Sequence, residues 1–396
     1  MLPGRLLVKR ADGSLISVRP DATELQVLAR AVQGEVDVLQ GAWSADGSRV
    51  AWSQVVNRDG RLESEVVTAG PLGEDEVRTT TSTTPFYLSW DPTSSRVGFL
   101  GSDGSDRFEL AVVEADAGDA DRLRSLSRGS PFYFSWAPDG QRLLAHVGGG
   151  RLDELDLGGV VDPIGELPGV FQAPAWSADG AAQVYAVARG SGERQQVMTR
   201  DVAGGSSTAI ADADGAVSLV LAPGGGQVAF QSLNADERDL YDRTLPQRAT
   251  DVGVTVVDLT TGQVERVTIR PAMAFSWSPD GRRLLILEPM YTPGRISFRW
   301  IVWDQDAPGG DAERFATASF TPGLSLLRDY APFFSQYAQS STMWAPDGSA
   351  FAYPALGSSA DTEIVVQPLN PDIPSYVLGA GSSVAWAPDA ADSAAA

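Results

Sequence analysis

One histidine, one lysine and no cysteine leave a chain of 396 residues with little from which to build the commoner catalytic devices. The histidine, His146, sits in the strand-like run Leu143-Leu-Ala-His-Val147, where a satisfied core imidazole is expected rather than a general base. No Gly-x-Ser-x-Gly elbow accompanies it, so a Ser-His-Asp hydrolase has no support. The lysine, Lys9, belongs to no Gly-Lys-Ser/Thr phosphate loop. Thiolate nucleophiles, disulfides and cysteine zinc sites are excluded outright, and histidine-rich metal sites cannot form. The acidic runs Glu114–Asp121 and Asp212–Gly215 lack the ligand spacing and the final Glu of a calcium loop and read as solvated loops. The chemistry left open is that of paired carboxylates, one acting as acid and the other as base or nucleophile. With 51 acidic residues, spacing alone picks out no pair.

The charge balance narrows the partners. A formal net charge of −21 repels phosphate backbones and anionic lipid, so neither nucleic acid nor membrane insertion is expected. The apolar fraction, 43%, is that of an ordinary globular protein. The opening Met-Leu-Pro-Gly-Arg-Leu-Leu-Val-Lys-Arg has too short an apolar run for a secretory signal, and no stretch is long and apolar enough to span a membrane. The expected address is therefore the cytoplasm, and a monomer is expected.

The elements that position any site follow from a repeat. Eight times a Trp, or Leu221 in its place, precedes a turn built on Pro, Asp or Gly. The copies begin at Trp43, Trp90, Trp136, Trp176, Leu221, Trp277, Trp344 and Trp386, and the fullest form is Trp277-Ser-Pro-Asp-Gly281. Successive copies stand 47, 46, 40, 45, 56, 67 and 42 residues apart. After each turn comes a β-rich run such as Arg49-Val-Ala-Trp52 or Arg283-Leu-Leu-Ile-Leu287, and then two more. Four strands in about 45 residues is the period of a β-propeller blade. The last copy supplies one strand, and the N-terminus supplies three without a leading Trp (Arg5–Arg10, Ser14–Arg19 and Glu24–Ala29). Residues 1–31 and 382–390 are therefore expected to share a closing blade, which removes two free sheet edges. The expected fold is all-β: residues 1–396 form one propeller of eight four-stranded blades. The alternative is seven, because Gly224-Gly225 replaces Asp-Gly after Leu221.

The repeat resembles the WD40-like, TolB-type propeller family with its PD40 motif, a Trp-Ser-Pro-Asp-Gly followed by an Ile-Ala-Phe-like strand. The likeness runs the length of the chain and is specific for fold, not for function. It implies that the Trp lies on the innermost strand and that Pro-Asp-Gly turns into the second. TolB itself carries a small α/β domain before six blades and works in the periplasm. Peptidase relatives carry a hydrolase domain. Neither extra domain is visible in this sequence. On this reading Trp fills the space between blades, Pro presets φ, Asp caps the turn and Gly accepts positive φ. A cation-binding ring of the turn Asp residues is not expected, since these carboxylates have local partners.

A site is sought where the spacing stretches. Loops from strand 2 to 3 and from strand 4 to the next blade share one propeller face. The insertions 232–250, 288–295 and 318–342 all belong to that class, on adjacent blades. The last is aromatic-rich: Leu326-Leu-Arg-Asp-Tyr330-Ala-Pro-Phe333-Phe334-Ser-Gln-Tyr337. It reads as short helices at Leu324–Tyr330 and Phe333–Ala338, split by Pro332. It either plugs the channel or offers an anchor to a partner. Arg328 and Asp329 form either a local ion pair or the polar rim of a site. Thr84-Pro-Phe-Tyr-Leu-Ser-Trp90 matches Ser130-Pro-Phe-Tyr-Phe-Ser-Trp136. Alternation places Phe86, Leu88 and Trp90 on one face and Tyr87 on the other. Tyr87 and Tyr133 then either pack between blades or rim the channel. Candidate binding residues are Tyr87, Tyr133, Tyr241, Tyr291, Arg328, Asp329, Tyr330, Phe333, Phe334 and Tyr337. The expected function is a non-enzymatic scaffold that needs no cofactor or metal and binds a protein partner or a small ligand at the decorated face. The alternative is a hydrolase or lyase with paired carboxylates at the channel mouth.

Overall fold

The computed structural model describes residues 2–116, 123–130, 132–170, 173–190, 194–233, 253–292, 295–306 and 315–388. Among these, eight antiparallel sheets follow one another around a ring. The blade of Trp43 shows the pattern, with strands Val36–Trp43, Val50–Arg58, Arg61–Ala69 and Val77–Thr81 from the inside outward. Its Trp ends the innermost strand, and the polar turn that follows cannot continue the ladder. The copy at Leu221 makes a full blade too, from Ala216–Leu221, Gln227–Leu233, Thr255–Asp258 and Val264–Arg266. Eight blades, not seven, close the ring.

Closure uses both ends of the chain. Ser383–Trp386 is the innermost strand of a sheet whose other three strands are Leu6–Lys9, Leu15–Val18 and Gln26–Ala29. Leu6 lies opposite Trp386, and Lys9 opposite Ser383. The apolar cores lie between blades, not within them. Ala42 and Val66 of one sheet meet Leu88, Trp90, Phe99 and Val113 of the next, all buried. Strands covered on both faces explain why the runs are nearly continuous in Val, Leu and Ala.

In most copies, Trp176 excepted, the repeated Trp adds a hydrogen bond to this packing. The Trp43 indole N–H donates to the Ala385 carbonyl (3.2 Å), Trp90 to Ala42 (3.2 Å), Trp136 to Ser89 (3.1 Å), Trp277 to Val220 (3.0 Å) and Trp344 to Ser276 (3.3 Å). In each case the acceptor is the residue just before the repeat position of the preceding blade. The indole thus stitches one innermost strand to its neighbour while filling the gap between them. Trp386 donates to Pro3 instead (2.9 Å).

The turn residues behave as turn chemistry requires. The Ser278 hydroxyl donates to the Asp280 carboxylate (2.5 Å) and accepts from the Arg283 amide (2.9 Å), while Asp280 also accepts from the Arg282 amide (3.1 Å). Gly281 takes φ +69°, a region side chains rarely occupy. At the equivalent Asp179 the Ser177 hydroxyl and the Ala181 amide hold the carboxyl below its ordinary value. These carboxylates are engaged within their own turns.

Two features depart from the regular pattern. The blade of Trp344 has three full strands, Ala350–Leu356, Thr362–Pro368 and Tyr376–Ala380. Its innermost strand shrinks to a bridge between Trp344 and Phe351, because the chain reaches it from within the channel. In the Trp90 blade, Phe86 and Leu88 do not share a face. The register slips between them, and Tyr87, at φ +47°, is the extra residue. A bulge of this kind reverses the alternation on one side of it. Phe86 therefore meets Phe108 edge-on (4.9 Å), while Leu88 and Trp90 pack toward the Trp43 blade.

Candidate functional site

The innermost strand of every blade has one edge with no neighbouring strand, so the channel wall presents backbone N–H and C=O groups that need partners. Segment 318–342 supplies partners at Phe134, Pro174, Ser382 and Trp386. It leaves the Trp277 blade by pairing Phe320 with Phe298 and Pro322 with Ala355. It then coils as a π-helical turn, Leu326–Tyr330, a 3-10 turn, Ala331–Phe333, and an α-helical turn, Phe334–Tyr337. Pro332 sits at the start of the middle turn, where its missing N–H costs nothing. The helices thus fall where the sequence places them, and they plug the channel.

Gln336 is the centre of the plug. Its side-chain carbonyl accepts from the Phe134 amide (3.1 Å), and its amide group donates to the Phe134 carbonyl (2.9 Å). One side-chain amide thus imitates a pairing strand. The Tyr87 hydroxyl, carried inward by its bulge, donates to the Gln336 backbone carbonyl (2.9 Å). Phe334 packs on Phe275 (4.5 Å), and Tyr337 meets both Tyr87 (5.3 Å) and Tyr330 (5.7 Å). Burial raises the phenols of Tyr87 and Tyr330 well above the ordinary range and pushes Tyr337 up to about 12, a hydrogen bond from Gln40 acting the other way. Beyond the helices, Gln339 donates to the Pro174 carbonyl (3.3 Å), and residues 338–342 reach the wall formed by the repeat turns. The segment therefore runs the length of the channel.

Where the plug enters, a cavity of about 230 Å³ opens between it and the innermost strands of the closing and Trp43 blades. Lys9, Gln40, Ser325, Asp329, Tyr330 and Ser382 contribute polar groups to its wall, and Leu7, Leu15 and Leu326 contribute apolar ones. The Lys9 ammonium donates to the Leu39 carbonyl (3.2 Å). That carbonyl is available because Leu39 is the extra residue of a second bulge, between Val38 and Gln40. Asp329, the single carboxylate of this wall, is bonded to Arg328 through both oxygens (2.7 and 3.1 Å). Among the described residues, no group of three His, Cys, Asp or Glu side chains could hold a metal ion.

Beside the cavity stands an exposed apolar ridge. Tyr291 and Ile296 face each other near the tip of the hairpin formed by Arg283–Thr292 and Arg295–Asp304. Leu324 follows the Pro322–Ala355 bridge, and Leu356 lies next to that bridge. Leu324 is 66% exposed, Phe333 and Tyr291 each 43%, and Leu356 41%.

The ten candidate residues therefore separate into groups. Tyr87, Tyr330, Phe334 and Tyr337 come together as the plug and its socket. Tyr291 and Phe333 are exposed on the decorated face. Arg328 and Asp329 make a local pair, with Asp329 also on the cavity wall. Tyr133 is buried, with its ring 6.1 Å from that of His146, and burial pushes its phenol up to about 12. It takes no part in the plug contacts described above. Tyr241, with residues 234–252 and so most of the 232–250 insertion, lies outside the described residues. Sequence reasoning passed over Gln336 and Gln40, because a single amide carries no pattern. It also used Lys9 only to exclude a phosphate loop, although a lone lysine among 51 acidic residues was itself a signal.

No family model matches the chain, and no curated protein matches it. Solved structures do. The crystal structure of a eukaryotic initiation factor aligns over 98% of this chain and 99% of its own, with a TM-score of 0.58 and 11% identity. The dihydro-heme d1 dehydrogenase NirN, in complex with DHE, aligns over 99% of this chain and 76% of its own, at 0.59 and 10%. TolB from Acinetobacter baumannii aligns over 86% and 83%, with a TM-score of 0.44 and 14% identity, too distant to carry an argument. At these identities the likeness is one of fold. What the comparisons establish is that this chain is similar to β-propeller structures.

Proposed function

We propose that this protein is a non-enzymatic propeller scaffold whose decorated face docks a partner protein. The observation that carries the reading is the exposed ridge of Tyr291, Ile296, Leu324 and Leu356, together with the exposed Phe333 of the plug. Apolar side chains grouped in this way on a solvated face are typical of docking sites. Aromatic residues among them are the usual anchors. The chain's net charge of −21 favours a partner with a basic rim and an apolar centre, and speeds its approach. The plug supports the ridge, since its hydrogen bonds to the channel wall hold Phe333 on a rigid base.

The test is site-specific photocrosslinking in cells. A crosslinker at position 324, 333 or 356 is expected to capture one and the same protein. Placed at Leu72 or Ile373, exposed in the loops from strand 3 to 4 on the other face, it is expected to capture none. The Tyr291→Asp variant should abolish capture without moving the melting temperature. Equal capture from both faces, or capture unaffected by Tyr291→Asp, would refute the reading.

A further inference from the structure

We infer that the cavity between the plug and the closing blade binds a small carboxylate that also carries an amine or hydroxyl donor. The inference rests on the cavity alone and is independent of protein docking at the ridge. An anion is repelled by most of a surface with 51 acidic residues. Here it meets the sole lysine of the chain, on the wall of a cavity of about 230 Å³. An ammonium has three N–H donors, and the Leu39 carbonyl takes one of them at 3.2 Å. The bulge that frees this carbonyl also fixes the ammonium at the cavity wall, so little side-chain freedom is left to lose on binding.

The plug side of the same wall presents a carboxylate, Asp329. Asp329 accepts two hydrogen bonds from Arg328, while a carboxylate has about four acceptor positions. A ligand with its carboxylate at Lys9 can therefore place an N–H or O–H donor toward Asp329. The serine side chains of the wall, Ser341 and Ser383 among them, suit the same polar molecule, and Leu7, Leu15 and Leu326 suit a short carbon chain between its ends. Lys9 is the one cation of this wall and the Arg328–Asp329 pair adds no net charge, so a dianion such as phosphate would keep its second charge unbalanced beside a carboxylate.

Growth on 13C-lysine gives a single lysine spin system, which is Lys9 without further assignment. Its Cε–Hε signal is titrated with β-alanine, 3-hydroxypropionate, propionate, n-propylamine and inorganic phosphate. β-Alanine and 3-hydroxypropionate are expected to shift the signal saturably, and propionate more weakly. The amine and phosphate should leave it unmoved. Asp329→Asn should weaken β-alanine roughly tenfold, about 1.4 kcal/mol, toward the affinity of propionate. Calorimetry on Lys9→Met should show no binding. Lys9→Arg, which keeps a cation and a donor for Leu39, should retain binding and controls for loss of fold. Three results overturn the inference: no saturable shift with any carboxylate, phosphate binding as well as β-alanine, or unchanged β-alanine affinity in Lys9→Met or Asp329→Asn.

Discussion

The two mouths of the channel are built from different material. On one side the wall is Pro223, Pro279, Pro346 and Pro388 with Trp277 and Trp344, all from the repeat motif. On the other it is Lys9, Asp329, Tyr330 and Gln40, of which none belongs to a motif copy. The repeat side encloses the larger space, about 510 Å³ against about 230 Å³, yet the one charged side chain on its wall, Asp46, is engaged by Ser44 and Ser48 of its own turn. The smaller cavity has a charge of each sign, Lys9 and Asp329. The difference shows how a repeat array acquires an individual site. Residues copied in every blade must satisfy the same packing in every blade, so they make the frame. Residues that occur once, in insertions and bulges, are free to differ and can make a site.

The largest expected effect tests the frame. Trp136→Ala or Trp277→Ala should cost roughly 3–5 kcal/mol, since each removes a buried ring and a bond to the preceding blade. An unchanged thermal melting curve would contradict it. Next comes the plug. Gln336→Ala leaves the Phe134 amide and carbonyl without their partner and should cost about 1–3 kcal/mol in denaturant unfolding. A loss as large as that of the Trp variants would mean that the plug is part of the frame.

A pH titration sharpens the same contrast. Tyr337 has its folded-state value pushed up to about 12, chiefly by burial, against about 10 when unfolded. A raised value means stability that is complete below about pH 10 and is lost as pH rises toward 12. Tyr337→Phe should therefore lose less stability than the parent between those limits, measured by denaturant midpoints. Parallel curves would show that Tyr337 does not sense alkali through the plug. The smallest effect belongs to Phe333→Ala, within about 0.5 kcal/mol, because that residue is already 43% exposed. A larger thermal shift would move Phe333 from the exposed group into the plug.

Much of the frame was legible in the sequence because a propeller blade is a local unit. The distance from one Trp to the next covers four strands and their turns, so Trp43, Trp90 and Trp136 mark blades by spacing alone. Even the weak copy at Leu221 kept its flanking β-rich runs, and its blade forms. The helices on either side of Pro332 were legible for the same local reason. The face of Phe86 was not, because a bulge at Tyr87 depends on what the extra residue reaches, here a plug about 250 residues further along.

By itself, the sequence pointed to eight blades with seven as the alternative, and to the closure through both termini and the order of turns, since each rests on patterns a few residues to one blade long. Only the tertiary structure decided that segment 318–342 fills the channel, that Gln336 pairs with Phe134, and that Lys9 and Asp329 share a cavity. Those contacts join residues far apart in the chain and none repeats. The channel's unpaired strand edges set their geometry, and those edges exist only once the ring has closed.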